Sequence, residues 1–298
     1  MSKATRIRRE NAREKIAAQR AAARRAEVRS RLFITGGSIL AVVAVVVAFI
    51  VIKATQNKAG SGASAASAAL PASAIKDLTT VPSATLTAVG SGTAYAKSIT
   101  SIPGTPLTSG GKPEVLYVGA EYCPYCATER WAMVVALSRF GTFSHLRGIH
   151  SSTKAGEPFP GTATLTFYKS SYTSKYLVFT SVEEQTVAET PLQSPTAAQQ
   201  ALLTKYDAPP YVSQANSGAI PFIDLGNKYL VAGAQYDPTV LTGKTWSQVA
   251  AALKDPASPI AKGANGAANL LTAAICKLTN NKPANVCTSS ITNLQGQI

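Results

Sequence analysis

The sequence predicts an α/β domain carried beyond one N-terminal membrane-spanning helix, and three observations lead there. Residues 32–52 form an apolar run without a charged side chain. Residues 115–120 read as a buried strand that passes without a gap into Cys123-Pro124-Tyr125-Cys126 and a helical stretch. Residues 220–231 read as two short strands around a Gly-Asn turn.

The apolar run is long enough to span a bilayer, since 21 residues at ~1.5 Å each cover its ~30 Å hydrocarbon core. A cleaved signal peptide is the competing reading. The run exceeds the usual ~15-residue apolar region of such peptides, a charged segment of 31 residues precedes it, and the small-residue site Ala63-Ser64-Ala65 lies well downstream. An uncleaved anchor is therefore expected. Residues 1–31 hold eleven Lys or Arg against three Glu, whereas only Lys53 and Lys58 follow closely. That asymmetry keeps the N-terminus in the cytoplasm and places the rest of the chain on the extracytoplasmic side of the plasma membrane. The basic tail is either a helix lying on anionic lipid or a solvated topology signal. Of the formal charge of +14, +8 lies in this tail, so the body offers no case for nucleic acid as a partner.

After the anchor, residues 53–74 are rich in Ala, Ser and Gly and read as a flexible linker. The extracytoplasmic domain is expected over residues 75–298. Its first part includes a short helix begun by Ser83 and ended by Gly90. Beyond the Cys motif come a helix over 127–140 closed by Gly141 and strands near 145–150, 163–168 and 175–181. A helix capped by Ser194 with Pro195 at its first position follows. Thr245 and Gln248 form a capping box for a helix running to Leu253.

Two thiols three positions apart at a helix start suit disulfide exchange. The first feels the unsatisfied amides and the positive dipole end of the helix, which favour its thiolate. Pro124 fits the first turn because its missing N–H has no partner there. Cys123 is thus the expected nucleophile, exposed to solvent, and Cys126 the resolving thiol. Zinc sites and structural disulfides share this spacing. Cys276 and Cys287 flank the turn Asn280-Asn281-Lys282-Pro283 and are expected to form a structural disulfide; a second redox pair or free thiols are the alternatives, and ten intervening residues fit a four-Cys zinc site poorly. His145 and His150 read as surface or packed histidines, and no metal site is expected. The Gly-x-Ser-x-Gly and His-Glu-x-x-His patterns are absent from the sequence, which removes the anchors for serine hydrolase and common zinc-protease readings.

Ala120-Glu121-Tyr122-Cys123 resembles the Ala-Glu-Trp-Cys run that opens the thioredoxin active site, and Ile220-Pro221 followed by a hairpin and helix resembles that family's cis-proline segment. The resemblance implies a thioredoxin-like fold, with core about 112–253, and an insertion around 150–218 as in the Dsb oxidoreductases. It implies Cys123, Cys126 and Pro221 as the catalytic set, with Ile220 and Tyr125 contacting substrate. Where thioredoxins place a buried Asp six residues before the first Cys, this chain has Tyr117, so a carboxylate to take the proton of Cys126 is missing. The whole layout resembles a bacterial membrane-anchored family known as domain of unknown function 929. The function implied is a membrane-anchored thiol-disulfide oxidoreductase acting on exported protein thiols and disulfides, without a cofactor, and recycled by a membrane redox partner. The alternative is a non-catalytic envelope module in which Cys123–Cys126 is a structural disulfide.

Overall fold

The computed structural model describes residues 67–298. The basic tail, the apolar run 32–52 expected to span a membrane, and most of the expected linker lie outside the described residues. Among those described, no helix is long and apolar enough to cross a membrane.

The chain opens with strand β1 (Ala68–Ala69) and helices α1 (Ala72–Thr79) and α2 (Ser83–Val89). Short strands β2 (Thr100–Ser101) and β3 (Thr108–Ser109) lead to β4 (Lys112–Gly119) and helix α3 (Pro124–Ser138). Five strands follow: β5 (Gly141–Ser144), β6 (Arg147–His150), β7 (Ala163–Thr166), β8 (Ser171–Ser174) and β9 (Val178–Glu183). Then come α4 (Ala197–Tyr206), the hairpin β10 (Phe222–Leu225) and β11 (Tyr229–Ala232), α5 (Trp246–Ala252), α6 (Gly266–Leu278) and α7 (Ser289–Thr292). The architecture is mixed α/β with several sheets.

Strand β4 is the centre of the main sheet. On one side β10 runs antiparallel to it, with Ile223 opposite Tyr117, and β11 and β2 continue beyond. On the other side β9 runs parallel, with Glu183 opposite Gly119. Successive side chains of a strand point to opposite faces, and here both faces are covered. Val115, Tyr117, Ile223 and Val231 join the cluster that holds Trp131 of α3 and Leu271 of α6. Leu116, Val118, Phe222 and Leu230 join the cluster that holds Tyr206 of α4. Burial on both faces is why residues 115–120 read as an unbroken apolar run rather than an alternating one. Strand β3 pairs antiparallel with the start of β4, and a three-stranded sheet β1-β6-β7 and a β5-β8 ribbon complete the strands.

Several expectations hold: the helix from Ser83 ends at Gly90 in a positive-φ conformation (φ 58), the Thr245–Gln248 capping box forms, and Gly226 and Asn227 make the β10–β11 turn at positive φ. Others are corrected. The linker is shorter than 53–74, because Ala68 and Ala69 pair with Gly148 and Arg147 and Leu70, Ala74 and Leu78 are buried. A few well-spaced apolar side chains order a segment whose average composition reads as a tether. The helix expected at Ser194 and Pro195 begins at Ala197, since Thr196 and Gln199 form a reciprocal cap that satisfies more amides. Gly141 starts β5 and does not close α3, whose C-cap is Arg139. Part of the stretch 150–218, within which an insertion is expected, belongs to the main sheet, where β9 pairs with the central strand from Glu114 to Gly119. The core does not end near residue 253 either: α6 is buried from Gly266 to Cys276.

Candidate active site

Strand β4 delivers the chain to the start of α3, where Cys123 is the N-cap and Pro124 the first helical residue. The Cys123 sulfur accepts the backbone N–H of Cys126 at 3.3 Å. Both cysteines are free thiols. From the hairpin side, the cis Ile220–Pro221 bond brings the Ile220 carbonyl oxygen to 3.6 Å from Cys123 Sγ, which donates to it. The structure therefore joins Cys123, Cys126, Ile220 and Pro221 in one place. It also corrects the expected exposure of the nucleophile: Cys123 is only 5% exposed and Cys126 fully buried, because the Ile220 segment closes over the helix start. Tyr125 is exposed beside them, its ring edge-on to Phe159 at 5.7 Å.

The two thiols differ in acidity. A hydrogen bond from the Cys126 thiol lowers the pKa of Cys123, burial opposes this, and the Cys126 amide and the Arg130 charge assist. Burial first, then the hydrogen bond to Cys123, pushes Cys126 well above the ordinary thiol value, with Arg130 pulling it back. One sulfur is prepared as a thiolate and the other as a proton holder.

Beneath them lie polar groups that the sequence reading missed. Arg130, fully buried, grips Glu183 of β9 in a two-pronged ion pair, Nε to Oε1 at 3.0 Å and Nη2 to Oε2 at 2.7 Å. Its Nη2 also donates to the Ala120 carbonyl at 2.7 Å, and its guanidinium stands 5.8 Å from the centre of the Tyr117 ring. Burial works against the Arg130 charge, but Glu183, Tyr117 and Cys126 together outweigh it and raise the pKa. The Tyr117 hydroxyl is buried with no hydrogen-bond partner. Any side chain at Gly119 would collide with both that hydroxyl and the Cys126 sulfur, so the two groups converge on one space that glycine leaves open. A sequence signal existed, since Arg130 follows Cys126 by four positions and so shares its helix face. Glu183 carried no such signal; its role depends on the β4–β9 register.

The remaining site expectations fall elsewhere. Cys276 and Cys287 form a disulfide with Cα atoms 5.7 Å apart, at the end of α6. Replacing both with serine is expected to lower stability by roughly 3 kcal/mol through the loop closure lost, seen as a drop of several degrees in Tm, while alkylation of the Cys123 thiol is unchanged. Altered Cys123 alkylation with unaltered melting would contradict this. His145 and His150 are both exposed, and His150 packs on Trp246 at 4.7 Å. Among the described residues no group of His, Cys, Asp and Glu is placed to hold a metal ion.

Neither the comparison with curated proteins nor that with solved structures finds a match. The model of a protein family described as a domain of unknown function (DUF929) matches residues 98–277, which include the dithiol, Glu183 and the Ile220–Pro221 bond. The chain belongs to that family.

Proposed function

We propose that this protein is a membrane-anchored, extracytoplasmic thiol-disulfide oxidoreductase built on a thioredoxin-like domain. The observation that carries the reading is the asymmetric dithiol: Cys123 at a helix N-terminus with lowered pKa and Cys126 buried behind it with raised pKa. The central β4, flanked by parallel β9 and antiparallel β10 with α3 after the dithiol, supports the thioredoxin-like description. The charge asymmetry around residues 32–52 supports anchoring and export.

In the reaction, the Cys123 thiolate attacks one sulfur of a substrate disulfide, forming a mixed disulfide and releasing the other substrate sulfur as a thiolate, which takes a proton. Cys126 gives up its proton and attacks Cys123 Sγ, and the second substrate sulfur leaves. The substrate gains two electrons and the protein holds a Cys123–Cys126 disulfide, which a membrane dithiol partner reduces; run in reverse, the same steps oxidise a substrate. The 5% exposure of Cys123 favours the second reading, a structural Cys123–Cys126 bond in a non-catalytic module.

The pH profile of thiol alkylation separates the two. Since only the thiolate reacts, the rate of Cys123 modification by iodoacetamide should titrate with a midpoint below that of a free cysteine, and Cys126 should stay unmodified in the folded protein. A midpoint at or above the free-thiol value would remove the asymmetry that carries the proposal, and a Cys123 that stays unmodified at every pH until a strong reductant opens a Cys123–Cys126 bond would support the structural reading.

A further inference from the structure

Residues 67–298 carry sixteen Lys or Arg against twelve Asp or Glu, a net of only +4. Five of the lysines nevertheless surround one cleft of about 610 Å³, lined by Lys112, Lys175, Lys228, Lys277 and Lys282. Tyr176 and Tyr229 add aromatic surface, and no Asp, Glu or Arg lines it. Lys112 begins β4 while the dithiol follows its end, so the cleft and the thiols lie at opposite ends of the central strand, roughly 25 Å apart along it.

Like charges gathered this way repel, and the fold holds several of them in place. Lys112 Nζ donates to the Ser174 carbonyl at 2.9 Å and Lys228 Nζ to the Gly104 carbonyl at 2.7 Å, while Lys277 Nζ stands 5.3 Å from the centre of the Tyr229 ring. The negative end of α6 accounts for Lys277 in its last turn, but for that lysine alone. Among the described residues none of the five forms an ion pair. A concave surface with one sign of charge concentrates counter-ions.

We infer that this cleft binds a phosphate-bearing organic anion. Five ammonium groups converging on one cleft act as point charges, and a doubly charged phosphate gains more from them than a singly charged carboxylate does. The two tyrosine rings offer a surface for the carbon skeleton that carries the phosphate. The same chemistry belongs to soluble sugar or glycerol phosphates and to phospholipid headgroups. The inference is independent of the thiol chemistry.

The test uses the full chain in zwitterionic micelles, titrated by calorimetry at constant ionic strength with glycerol 3-phosphate and with a short-chain phosphatidic acid. The variant is Lys175→Ala/Lys282→Ala, both exposed side chains whose removal leaves the Lys112 and Lys228 anchors intact. Saturable binding of glycerol 3-phosphate, weakened at least tenfold in the variant, supports a soluble ligand. Binding of the lipid at least tenfold tighter than glycerol 3-phosphate, again lost in the variant, supports a headgroup. Cys123→Ser should bind as the wild type does. No saturation by either ligand, or equal binding by wild type and variant, overturns the proposal. Should the double variant melt early, Lys175→Glu alone carries the same expectation.

Discussion

Glu183→Gln is expected to destabilise the protein by roughly 3–5 kcal/mol, the usual cost of leaving a buried charge without its partner. Arg130 is fully buried and its two bonds to Glu183 are the main compensation for its lost hydration. Arg130→Met should cost less, because burial already raises the pKa of Glu183 and the abandoned carboxyl takes up a proton. The double variant Arg130→Met/Glu183→Leu should regain most of the loss, since a well-packed apolar pair removes both desolvation penalties. Urea unfolding of the wild type, Arg130→Met, Glu183→Leu and the double variant measures the coupling, and additive losses would show that the ion pair is not the unit described. The double variant also isolates a chemical role: Arg130 is the cation that draws the Cys126 pKa down, so a folded protein without it should resolve mixed disulfides more slowly.

Glu129→Gln should remove a pH dependence of stability. Glu129 is fully buried, its Oε2 accepts the Gln235 N–H at 2.9 Å, and Oε1 has no partner. Burial pushes its carboxyl up from 4.5 to about 8. The folded state then holds a proton that the unfolded state has released between those values, so wild-type stability falls as pH rises from about 4.5 to 8 and levels off above. At about 1.4 kcal/mol per pKa unit the fall amounts to a few kcal/mol. The glutamine keeps an acceptor for Gln235 and carries no charge, so its Tm should show a flatter profile and exceed the wild type most at pH 8 and above. Parallel profiles would mean that Glu129 titrates near its ordinary value.

What the sequence made legible was whatever local chemistry decides. The Gly90 helix end, the Thr245–Gln248 cap and the Gly226–Asn227 turn each depend on residues a few positions apart. The dithiol and Ile220–Pro221 lie far apart in the chain, and each is recognisable because it forms a local motif of its own. What escaped was set by tertiary pairing. Composition hid the start of the domain, since Leu70 and Leu78 sit among alanines and serines, and Glu183 looked like any strand-end charge until β9 lay beside β4. The missing carboxylate at Tyr117 looked like a functional deficit. In the fold, Arg130 and Glu183 reach the same region from two other elements, and no linear pattern announces that convergence.

The central claim is that Cys123 attacks and Cys126 resolves, and trapping mixed disulfides tests it most directly. In Cys126→Ser the second exchange is blocked, so Cys123 should accumulate covalent adducts with exported proteins, visible by non-reducing electrophoresis after acid quenching and released by reductant. Cys123→Ser should accumulate few, because the remaining thiol is fully buried and its pKa is raised well above the ordinary value. Adducts in the first variant and not in the second are the expected result; none in either, or equal amounts in both, would contradict it.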